Sequence, residues 1–420
     1  MKENNFKQTE IGLIPKDWEV VRLEEILFPD RKKLKHKQYD GSIPIVEKIQ
    51  FDTGEIVFRK KRQTRTDLYI GEKGRLLTSK INFHQGAVAI ITNEGKIAAT
   101  THYEIYRVNE RKGDLKFLWY YFRSPFFREI FYHEMKFAGF KKEANYKFIK
   151  NFKLPLPPIP EQRKIARVLD KIQQAIELQD RIIEQAKRLK KSLMQKLFIE
   201  GLYGEEQKET EIGLIPKSWE VVRLGEVFEV QQGKQLSRKR KLKKDEIECK
   251  FLRTSNVFWE GIKLQNLDTM FVSKKEIDRL KVRKGDIFVC EGGDVGRTAI
   301  LEEDIDFDLI FQNHLHRLRP KSEDIYPNFF VYWMEKHIKL DRVHIPANVT
   351  TIPNLSASRL KSFLLPLPPL EEQKQIAHIL STVDRKIEVE QKRKQVLKEL
   401  FKTMLHKLMS REIRLKEVEV

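Results

Sequence analysis

A tandem internal repeat is the feature that most limits how this chain can fold. Thr9–Leu23 reads TEIGLIPKDWEVVRL and Thr210–Leu224 reads TEIGLIPKSWEVVRL, so the two segments differ at one position. A second pair, LPLPP at Leu154–Pro158 and at Leu365–Pro369, leads each time into a long charged segment. Matches of this length do not arise by chance, and they predict two copies of one structural unit.

The stretches between the shared segments look little alike. Each copy is therefore a repeated frame that holds a variable insert. Short apolar runs separated by turn residues predict that both inserts mix strands and helices. We expect the repeated frame to have the same function in both copies. We expect the two inserts to have two variants of a second function.

The segment that follows each LPLPP predicts a long helix. Apolar residues recur at alternating steps of four and three over residues 161–200 and 371–410, which is the spacing of a coiled-coil seam. Neither segment contains an interior Gly or Pro, and Gly201 follows the first one. About 40 residues at 1.5 Å per residue give a helix of about 60 Å. The predicted apolar seam residues are Ile165, Leu169, Ile172, Ile176, Ile183, Leu193, Leu197, Ile376, Leu380, Val383, Ile387, Leu397, Phe401, Met404 and Leu408.

Two arrangements would bury these seams. The helices pack on each other, or each packs on its own globular insert. A heptad pattern sustained over about five repeats favours the pair, in which polar seam residues such as Gln179 and Lys190 would fix the register. The predicted fold is α+β: two globular mixed α/β domains joined by two long helices that pack as an antiparallel coiled coil, in a pseudo-twofold tandem repeat.

The charge balance favours a polyanionic partner. Lys and Arg number 81 against 61 Asp and Glu, a net charge of +20. Nucleic acid is the first candidate, an anionic membrane surface the second, and a basic protein without a special partner the third. Two cysteines, Cys249 and Cys290, are too few for a disulfide framework or a four-cysteine zinc site, which fits a cytoplasmic protein. No apolar run approaches the ~20 residues of a membrane span, and no signal peptide is evident.

Basic runs lie inside the inserts, at Arg31–Lys37, Arg59–Arg65 and Arg238–Lys244. Such runs suit phosphate contacts, although a solvated loop is an equally good interpretation of any one of them. Base reading calls for Arg, Asn or Gln nearby. The candidate DNA-binding residues are Arg59, Lys60, Lys61, Arg62, Gln63, Arg65, Lys80, Asn82, His84, Arg238, Lys239, Arg240, Arg253, Asn256, Arg297, Asn313 and His316.

Motifs for catalysis are missing from the sequence. It has no GxxxxGK[ST] loop for ATP, no GxSxG and no HExxH. His314 and His316 alternate on one predicted strand, but no third zinc ligand stands at a telling distance. We therefore expect recognition without catalysis, with no cofactor and no metal.

The chain resembles the specificity (S) subunit of type I restriction–modification systems. The resemblance rests on IGLIPKDWEVVRL, the insert, and LPLPPIPEQRKIARVLD with its long helix, all present twice. The second insert adds FLRTSNV at Phe251–Val257, KGDIFVCEGGDVGRTAI at Lys284–Ile300 and FQNHLHRLRP at Phe311–Pro320. The first insert departs from that pattern, with GEKGRLLTSKINFHQGAVAI at Gly71–Ile90.

This resemblance implies a non-catalytic subunit in a restriction complex. Target-recognition domains at 1–158 and 204–369 would each read one half of an asymmetric, bipartite double-stranded DNA site. Helices at 159–203 and 370–420 would set the spacer and dock two methyltransferase (M) subunits. Those subunits would bring S-adenosylmethionine, and restriction (R) subunits would bring ATP-driven cleavage.

Three alternatives stay open at this point. The chain could serve a type IIB-like methylase–nuclease, or it could be a nuclease or nucleotidyltransferase with an unrecognised site. It could also be a coiled-coil scaffold with two basic domains.

Overall fold

The computed structural model describes residues 6–137, 143–236, 245–341 and 355–415. It divides the chain into two compact units. The first unit is Met1–Asp180 together with Lys392–Val420, and the second is Arg181–Gln391. Both ends of the chain therefore belong to the first unit, and each unit contains a part of both long helices.

The first unit is a set of small antiparallel sheets flanked by helices. Strands β4, β9, β10 and β12 form a four-stranded sheet in the order β10-β9-β12-β4, and β5, β8 and β11 form a three-stranded one in the order β11-β8-β5. The pairs β1–β2, β3–β13 and β6–β7 complete its sheets. Its elements are β1 (Phe6–Thr9), β2 (Gly12–Pro15), β3 (Glu19–Arg22), β4 (Leu27–Pro29), β5 (Lys32–Leu34), β6 (Val46–Ile49), β7 (Ile56–Phe58), β8 (Leu68–Gly71), β9 (Leu76–Ser79), β10 (Val88–Ile90), β11 (Ile97–Thr100), β12 (Tyr103–Val108), α1 (Leu115–Arg123), α2 (Pro125–Phe137), α3 (Tyr146–Ile149), β13 (Lys153–Leu156) and the first part of α4 (Ile159–Glu200).

The second unit repeats the frame and varies the insert. Its four-stranded sheet, β17-β25-β22-β23, has the same order and direction as that of the first unit. Its three-stranded sheet, β21-β18-β24, differs because β18 runs parallel to β24. The elements are β14 (Gln207–Thr210), β15 (Gly213–Pro216), β16 (Glu220–Arg223), α5 (Leu224–Val227), β17 (Phe228–Gln232), β18 (Glu246–Leu252), β19 (Val257–Phe258), β20 (Gly261–Ile262), β21 (Asp268–Ser273), α6 (Lys274–Leu280), β22 (Ile287–Cys290), β23 (Thr298–Ile300), β24 (Leu309–Phe311), β25 (Leu315–Pro320), α7 (Pro327–Glu335), α8 (Ala357–Lys361), β26 (Leu364–Leu367) and α9 (Leu370–Met409).

Each long helix is fastened to its unit by the Glu-Gln pair at its start. In the first unit the Trp18 indole N–H donates to Glu161 Oε2 at 3.1 Å. Gln162 accepts from the Asp114 backbone N–H at 2.7 Å and donates to the Lys112 carbonyl at 2.8 Å. Buried polar groups need such partners, because an unsatisfied one costs about 1–3 kcal/mol.

The second unit repeats these contacts. Trp219 donates to Glu372 Oε2 at 2.9 Å. Gln373 accepts from the Tyr326 N–H at 2.8 Å and donates to the Asp324 carbonyl at 2.9 Å. In each unit, the Trp of the repeated segment and the Glu-Gln pair at the helix start thus form one set of contacts. This set, the Glu-Gln joint, connects the frame to the long helix.

The predicted long helices and their antiparallel pairing are confirmed. Helix α4 ends at Glu200, before Gly201 with φ +66°, a backbone region that favours glycine. Within the first unit, Asp180 near the middle of α4 pairs with Lys394 of α9, and Ile165 near the start of α4 shares a core with Leu408 near the end of α9. The two segments therefore run in opposite directions.

The same pairing closes the second unit. Leu197 of α4 shares a core with Ile376 and Leu380 of α9. Lys190 lies 2.8 Å from Asp384 and 2.7 Å from Glu335. Burial alone would lower the pKa of Lys190, but the two carboxylates outweigh it and raise that pKa. These ion pairs fix the register of the helix pair at polar seam positions.

All fifteen apolar seam residues are buried or half-buried. Both packing modes contribute, because the helix ends also join the globular cores. Leu169 and Leu408 share a core with Tyr120, whose ring lies 6.0 Å from that of Phe401. The helix pair and the packing on the domains are therefore one continuous hydrophobic core in each unit.

Candidate nucleic-acid interface

Two basic runs that are distant in sequence meet on one face of the first unit. Strand β5, inside the run Arg31–Lys37, pairs with β8, which follows the run Arg59–Arg65. The Asp67 carboxylate accepts from the His36 backbone N–H at 3.0 Å and lies 2.9 Å from the Lys33 ammonium. These contacts hold the two runs side by side.

We call residues 31–37 and 59–67 the basic surface. Its cationic side chains are exposed, and Arg31, Lys32 and Lys33 among them also pair with carboxylates of their own domain. Exposed cations of this kind can contact phosphate oxygens. The exposed cationic residues are Arg31, Lys32, Lys33, Lys35, Lys37, Lys60, Lys61, Arg62 and Arg65.

Two side chains brace this surface. Arg62 Nη1 donates to the Ser42 carbonyl at 3.0 Å, which ties its loop to the neighbouring turn. The His36 N–H, the Lys33 ammonium and the His36 ring together hold the pKa of Asp67 well below its usual range. Asp67 therefore stays ionised at neutral pH and keeps both runs in place.

The sequence candidates Arg59–Arg65 all lie on this surface. Lys60, Lys61, Gln63 and Arg65 are exposed, and the half-buried Arg59 donates its backbone N–H to the Ile45 carbonyl at 2.8 Å. Their cations and amide can reach a duplex laid across the face.

The other candidates of the first unit lie at the end of β9. Lys80 is largely covered and sits 3.4 Å from the buried carboxylate of Glu104. Asn82 and His84 are half-buried, and burial lowers the pKa of His84. Asn82 accepts through its carbonyl from the Gln85 N–H at 2.9 Å, so its backbone shapes the turn.

Three candidates of the second unit lie next to strands: Arg253 directly follows β18, Arg297 directly precedes β23, and Asn313 lies two residues after β24. Arg253 lies 2.5 Å from Asp268, and Arg297 Nη2 donates to the Thr254 carbonyl at 2.8 Å. Asn313 is half-buried, and its carbonyl accepts from Gln232 Nε2 at 3.2 Å. The second-unit candidates are thus more tightly bound to their own domain than those of the first unit.

Two candidates have structural roles. Asn256 is buried and donates to the Lys263 carbonyl at 3.2 Å, while its own Oδ1 accepts from the Arg253 N–H at 3.1 Å. His316 has no exposed surface, and its Nε2 donates to the Leu355 carbonyl at 2.8 Å. Neither side chain can reach DNA without disrupting the domain. The prediction that Asn256 and His316 contact bases is therefore wrong.

Arg238, Lys239 and Arg240 lie outside the described residues. Among the residues that the structure describes, no three His, Cys, Asp or Glu side chains group as metal ligands. In the same residues no helix is both long enough and apolar enough to span a membrane.

Two exposed polar side chains beyond the repeated segments were not among the sequence candidates for base reading. Arg31 follows β4 and Gln232 ends β17, and both are exposed. They occupy the same position of the repeat, since the frame keeps its 201-residue offset up to this point.

The family model for the type I restriction modification DNA specificity domain matches the chain twice, over residues 15–188 and 216–399. The chain belongs to the family of type I restriction–modification specificity subunits. The subunits of this family supply DNA recognition to the complex and are not its catalytic part. DNA and a methyltransferase subunit are the partners that the family implies.

Two specificity subunits are similar to this chain, one over its full length and one over about half of it. The putative type I restriction enzyme MjaX specificity subunit of Methanocaldococcus jannaschii is 31% identical over 438 residues, covering 99% of this chain and 98% of that protein. The EcoBI specificity subunit of Escherichia coli is 27% identical over 260 residues, covering 56% of this chain and 52% of that one.

Solved structures share the fold. The HsdS subunit from Thermoanaerobacter tengcongensis aligns with a TM-score of 0.52 at 17% identity, covering 95% of this chain and 98% of that one. A chain from a structure of the assembly and conformational transition of a type I restriction–modification system aligns with a TM-score of 0.59 at 17% identity, covering 94% and 98%.

Proposed function

We propose that each unit reads one half of an asymmetric bipartite DNA site, through target-recognition domains at 1–158 and 204–369. The observation that carries this is the basic surface of the first unit. Two separate runs converge there on one exposed face, held by Asp67 and Arg62. The four-stranded sheet is common to both units while the three-stranded sheet differs, so the two half-sites differ in sequence.

The basic surface supplies the sequence-independent part of this binding. Each phosphate that a Lys or Arg neutralises releases counterions, so the affinity falls as salt rises. A scaffold that binds only proteins would lack this dependence. A nuclease would cleave the duplex in the presence of a divalent metal.

The experiment is a selection from randomised duplexes with the full-length chain, alone and with its methyltransferase subunit. We expect two unlike half-sites at one fixed spacing. Affinity for the selected site is then measured against salt for the triple variant Lys60→Gln, Lys61→Gln and Arg62→Gln. The slope of log affinity against log salt should become shallower by about 2–3, since each lost contact removes about 0.9.

A matched control removes three exposed lysines of α4, with Lys171→Gln, Lys187→Gln and Lys191→Gln. This triple changes the net charge equally and should leave the slope unchanged. Equal changes in both triples would mean that total charge, and not the basic surface, drives the binding. Retention of duplexes without any motif, even with the methyltransferase bound, would overturn the recognition function.

We further propose that the helices at 159–203 and 370–420 dock two methyltransferase subunits, one on each unit. Exposed apolar residues recur at equivalent helix positions. The first unit exposes Leu178 at 51% and Leu400 at 44%, and the second exposes Val389 at 43% and Leu189 at 53%. Leu178 matches Val389, and Leu189 matches Leu400, at the same 211-residue offset as the LPLPP motifs.

A duplicated apolar surface predicts the same partner twice. We call Leu178 with Leu400 the first patch, and Leu189 with Val389 the second patch. Large apolar side chains that stay exposed at repeated positions favour contact with another protein. Restriction subunits would join the same complex, and its place of action would be the cytoplasm.

This stoichiometry is measured by native mass spectrometry of the complex with the methyltransferase subunit. Leu178→Asp with Leu400→Asp should leave one bound copy, and so should Leu189→Asp with Val389→Asp. All four changes together should leave none. Gln195→Asp, at an exposed position of α4 outside both patches, should keep two copies. Two copies on the fourfold variant would refute the docking surface.

A further inference from the structure

We propose that Arg31 and Gln232 are equivalent specificity-determining residues of opposite hydrogen-bonding character. Arg31 would select guanine in one half-site, and Gln232 would select a base that offers an amino group in the other. This inference rests on the proposed function, and it assigns the base-contacting side chain of each unit.

The equivalence follows from strand register. In the first unit β12 pairs with β4 so that Val108 faces Leu27 and Tyr106 faces Pro29. Continuing that register places Arg31 opposite Glu104. In the second unit Pro320 faces Phe228 and His316 faces Gln232. Arg31 and Gln232 therefore occupy equivalent positions in the equivalent four-stranded sheets of the two units.

Arg31 is aimed by a buried carboxylate. Its Nε donates to Glu104 Oε2 at 3.0 Å and its Nη2 donates to Glu104 Oε1 at 2.9 Å. The Glu104 side chain is 1% exposed, while that of Arg31 is 44% exposed. A bidentate pair fixes the plane of the guanidinium, and it leaves Nη1 and one Nη2 proton directed away from the protein. Those two donors match the O6 and N7 acceptors of guanine in the major groove.

Gln232 is oriented by the carboxylate of Glu291, which directly follows β22, the second strand from β17 in the sheet. Its Nε2 donates to Glu291 Oε2 at 3.2 Å and to the Asn313 carbonyl at 3.2 Å. Glu291 is buried, and Gln232 is exposed. Both amide protons are occupied, so Oε1 remains to accept. An acceptor in the major groove reads the amino group of adenine or cytosine.

One position beside the readers carries opposite charge in the two units. Lys80 lies beside Glu104 in the first unit, and Glu291 occupies the matching position in the second. The match is fixed by equivalent backbone bonds, in which the Lys80 N–H donates to the His102 carbonyl and the Glu291 N–H to the His314 carbonyl, each at 2.9 Å. A position that only stabilises the fold does not need opposite charges in the two units. A position that orients an arginine in one unit and a glutamine in the other does.

Each reader lies close in sequence to a basic run of its own unit. Arg31 opens the run Arg31–Lys37, and Gln232 stands six residues before Arg238, which opens the run Arg238–Lys244. A base reader must sit next to backbone contacts that fix its register on the duplex. Arg31 meets this requirement on the basic surface of the first unit.

The experiment is the duplex selection on the full-length chain with its methyltransferase subunit, run on wild type and variants. We expect Arg31→Gln to lose preference for guanine at one position of one half-site, by about 5- to 150-fold, with the other half-site and the spacing unchanged. Gln232→Arg, beside Glu291, should shift one position of the other half-site toward guanine.

Two further variants separate reading from charge. Arg31→Lys keeps the charge but cannot bind Glu104 and guanine as a fork, so it should keep affinity for random duplex while losing the preference. Lys35→Gln removes one exposed charge of the same run and should lower affinity evenly without changing the motif. Circular dichroism confirms that each variant is folded.

The outcomes are distinct. If wild type yields no bipartite motif, the proposed function fails and this inference fails with it. If wild type yields the motif and both the Arg31 and the Gln232 variants leave it unchanged, this inference alone is wrong. Changes in both half-sites from one substitution would also overturn it.

Discussion

Arg414 and Asp17 join the C-terminal segment to the repeated segment, with Nη2 of Arg414 3.0 Å from Oδ2 of Asp17. The same guanidinium lies 2.6 Å from Glu161 Oε2. The second unit has Tyr203 and Ser218 at the matching positions, and the Leu202 backbone N–H donates to Glu372 at 2.9 Å in place of an arginine. The single difference between the repeated segments is therefore explained by which chain segment closes each unit.

Removal of this arginine should destabilise the first unit. Arg414→Ala leaves the buried Glu161 carboxylate with the Trp18 indole as its remaining described partner, at a cost of about 2–4 kcal/mol. Urea unfolding measures the loss. Tyr203→Ala at the matching position, 71% exposed, should change the free energy of unfolding by less than about 0.5 kcal/mol. Similar losses in both variants would contradict the role of Arg414.

The Glu-Gln joint should be equally sensitive in both units. Gln162→Leu and Gln373→Leu each leave one backbone N–H and buried carbonyls without their hydrogen-bond partner. We expect each variant to lose about 2–4 kcal/mol of its free energy of unfolding. Thermal unfolding of the two variants should show losses of similar size. Gln395→Leu, on the exposed face of α9, is the control and should be near neutral. An unchanged melting temperature for Gln162→Leu would show that the joint contributes nothing.

The helix pair depends on buried apolar residues. Leu380 is fully buried, so Leu380→Asp puts an unpaired carboxylate in the core of the second unit and should prevent its folding. Ile176→Asp should do the same in the first unit. Leu400→Asp introduces the same group at an exposed position and should leave the circular dichroism spectrum unchanged. A folded Leu380→Asp variant with full complex assembly would refute the pair.

Asp67 predicts a pH dependence of stability. Its pKa is lower in the folded state than in the unfolded chain, so its contribution is present above about pH 4 and is lost as pH falls further. The free energy of unfolding of wild type and of Asp67→Asn is measured from pH 6 to pH 2. The difference between them should be constant down to about pH 5 and should then shrink. If the difference in the free energy of unfolding between wild type and Asp67→Asn grew toward low pH, it would contradict a lowered pKa of Asp67 in the folded state.

The spacer role makes a length prediction. Deleting residues 179–185 from α4 together with the equivalent 390–396 from α9 removes one heptad from each helix, about 10 Å of helix, and keeps Leu178 and Val389. The selected spacer should shorten by about three base pairs, at 3.4 Å per pair, with both half-sites retained. A changed half-site with an unchanged spacer would show that the helices are not the ruler.

The sequence alone predicted the parts of this protein that depend on local pattern. The repeat marked two units, the heptads marked α4 and α9, and Gly201 marked the end of α4 because a positive φ favours glycine. Antiparallel pairing followed from a pseudo-twofold relation between the two repeated units. These features depend on the spacing of residues along the chain, and this spacing is visible in the amino-acid sequence.

Only the tertiary structure decided which polar side chains face outward at the interface. His316 and Asn256 had base-reading chemistry, but strand register and a turn bury both. Arg31 and Gln232 emerged because Glu104 and Glu291, more than 50 residues away, hold them at the same point of two sheets. Such contacts join residues distant in sequence, so their side-chain types and spacing do not reveal them. The sequence therefore determined the frame and its helices, whereas the fold decided which residues can read DNA, since burial and aim depend on non-local partners.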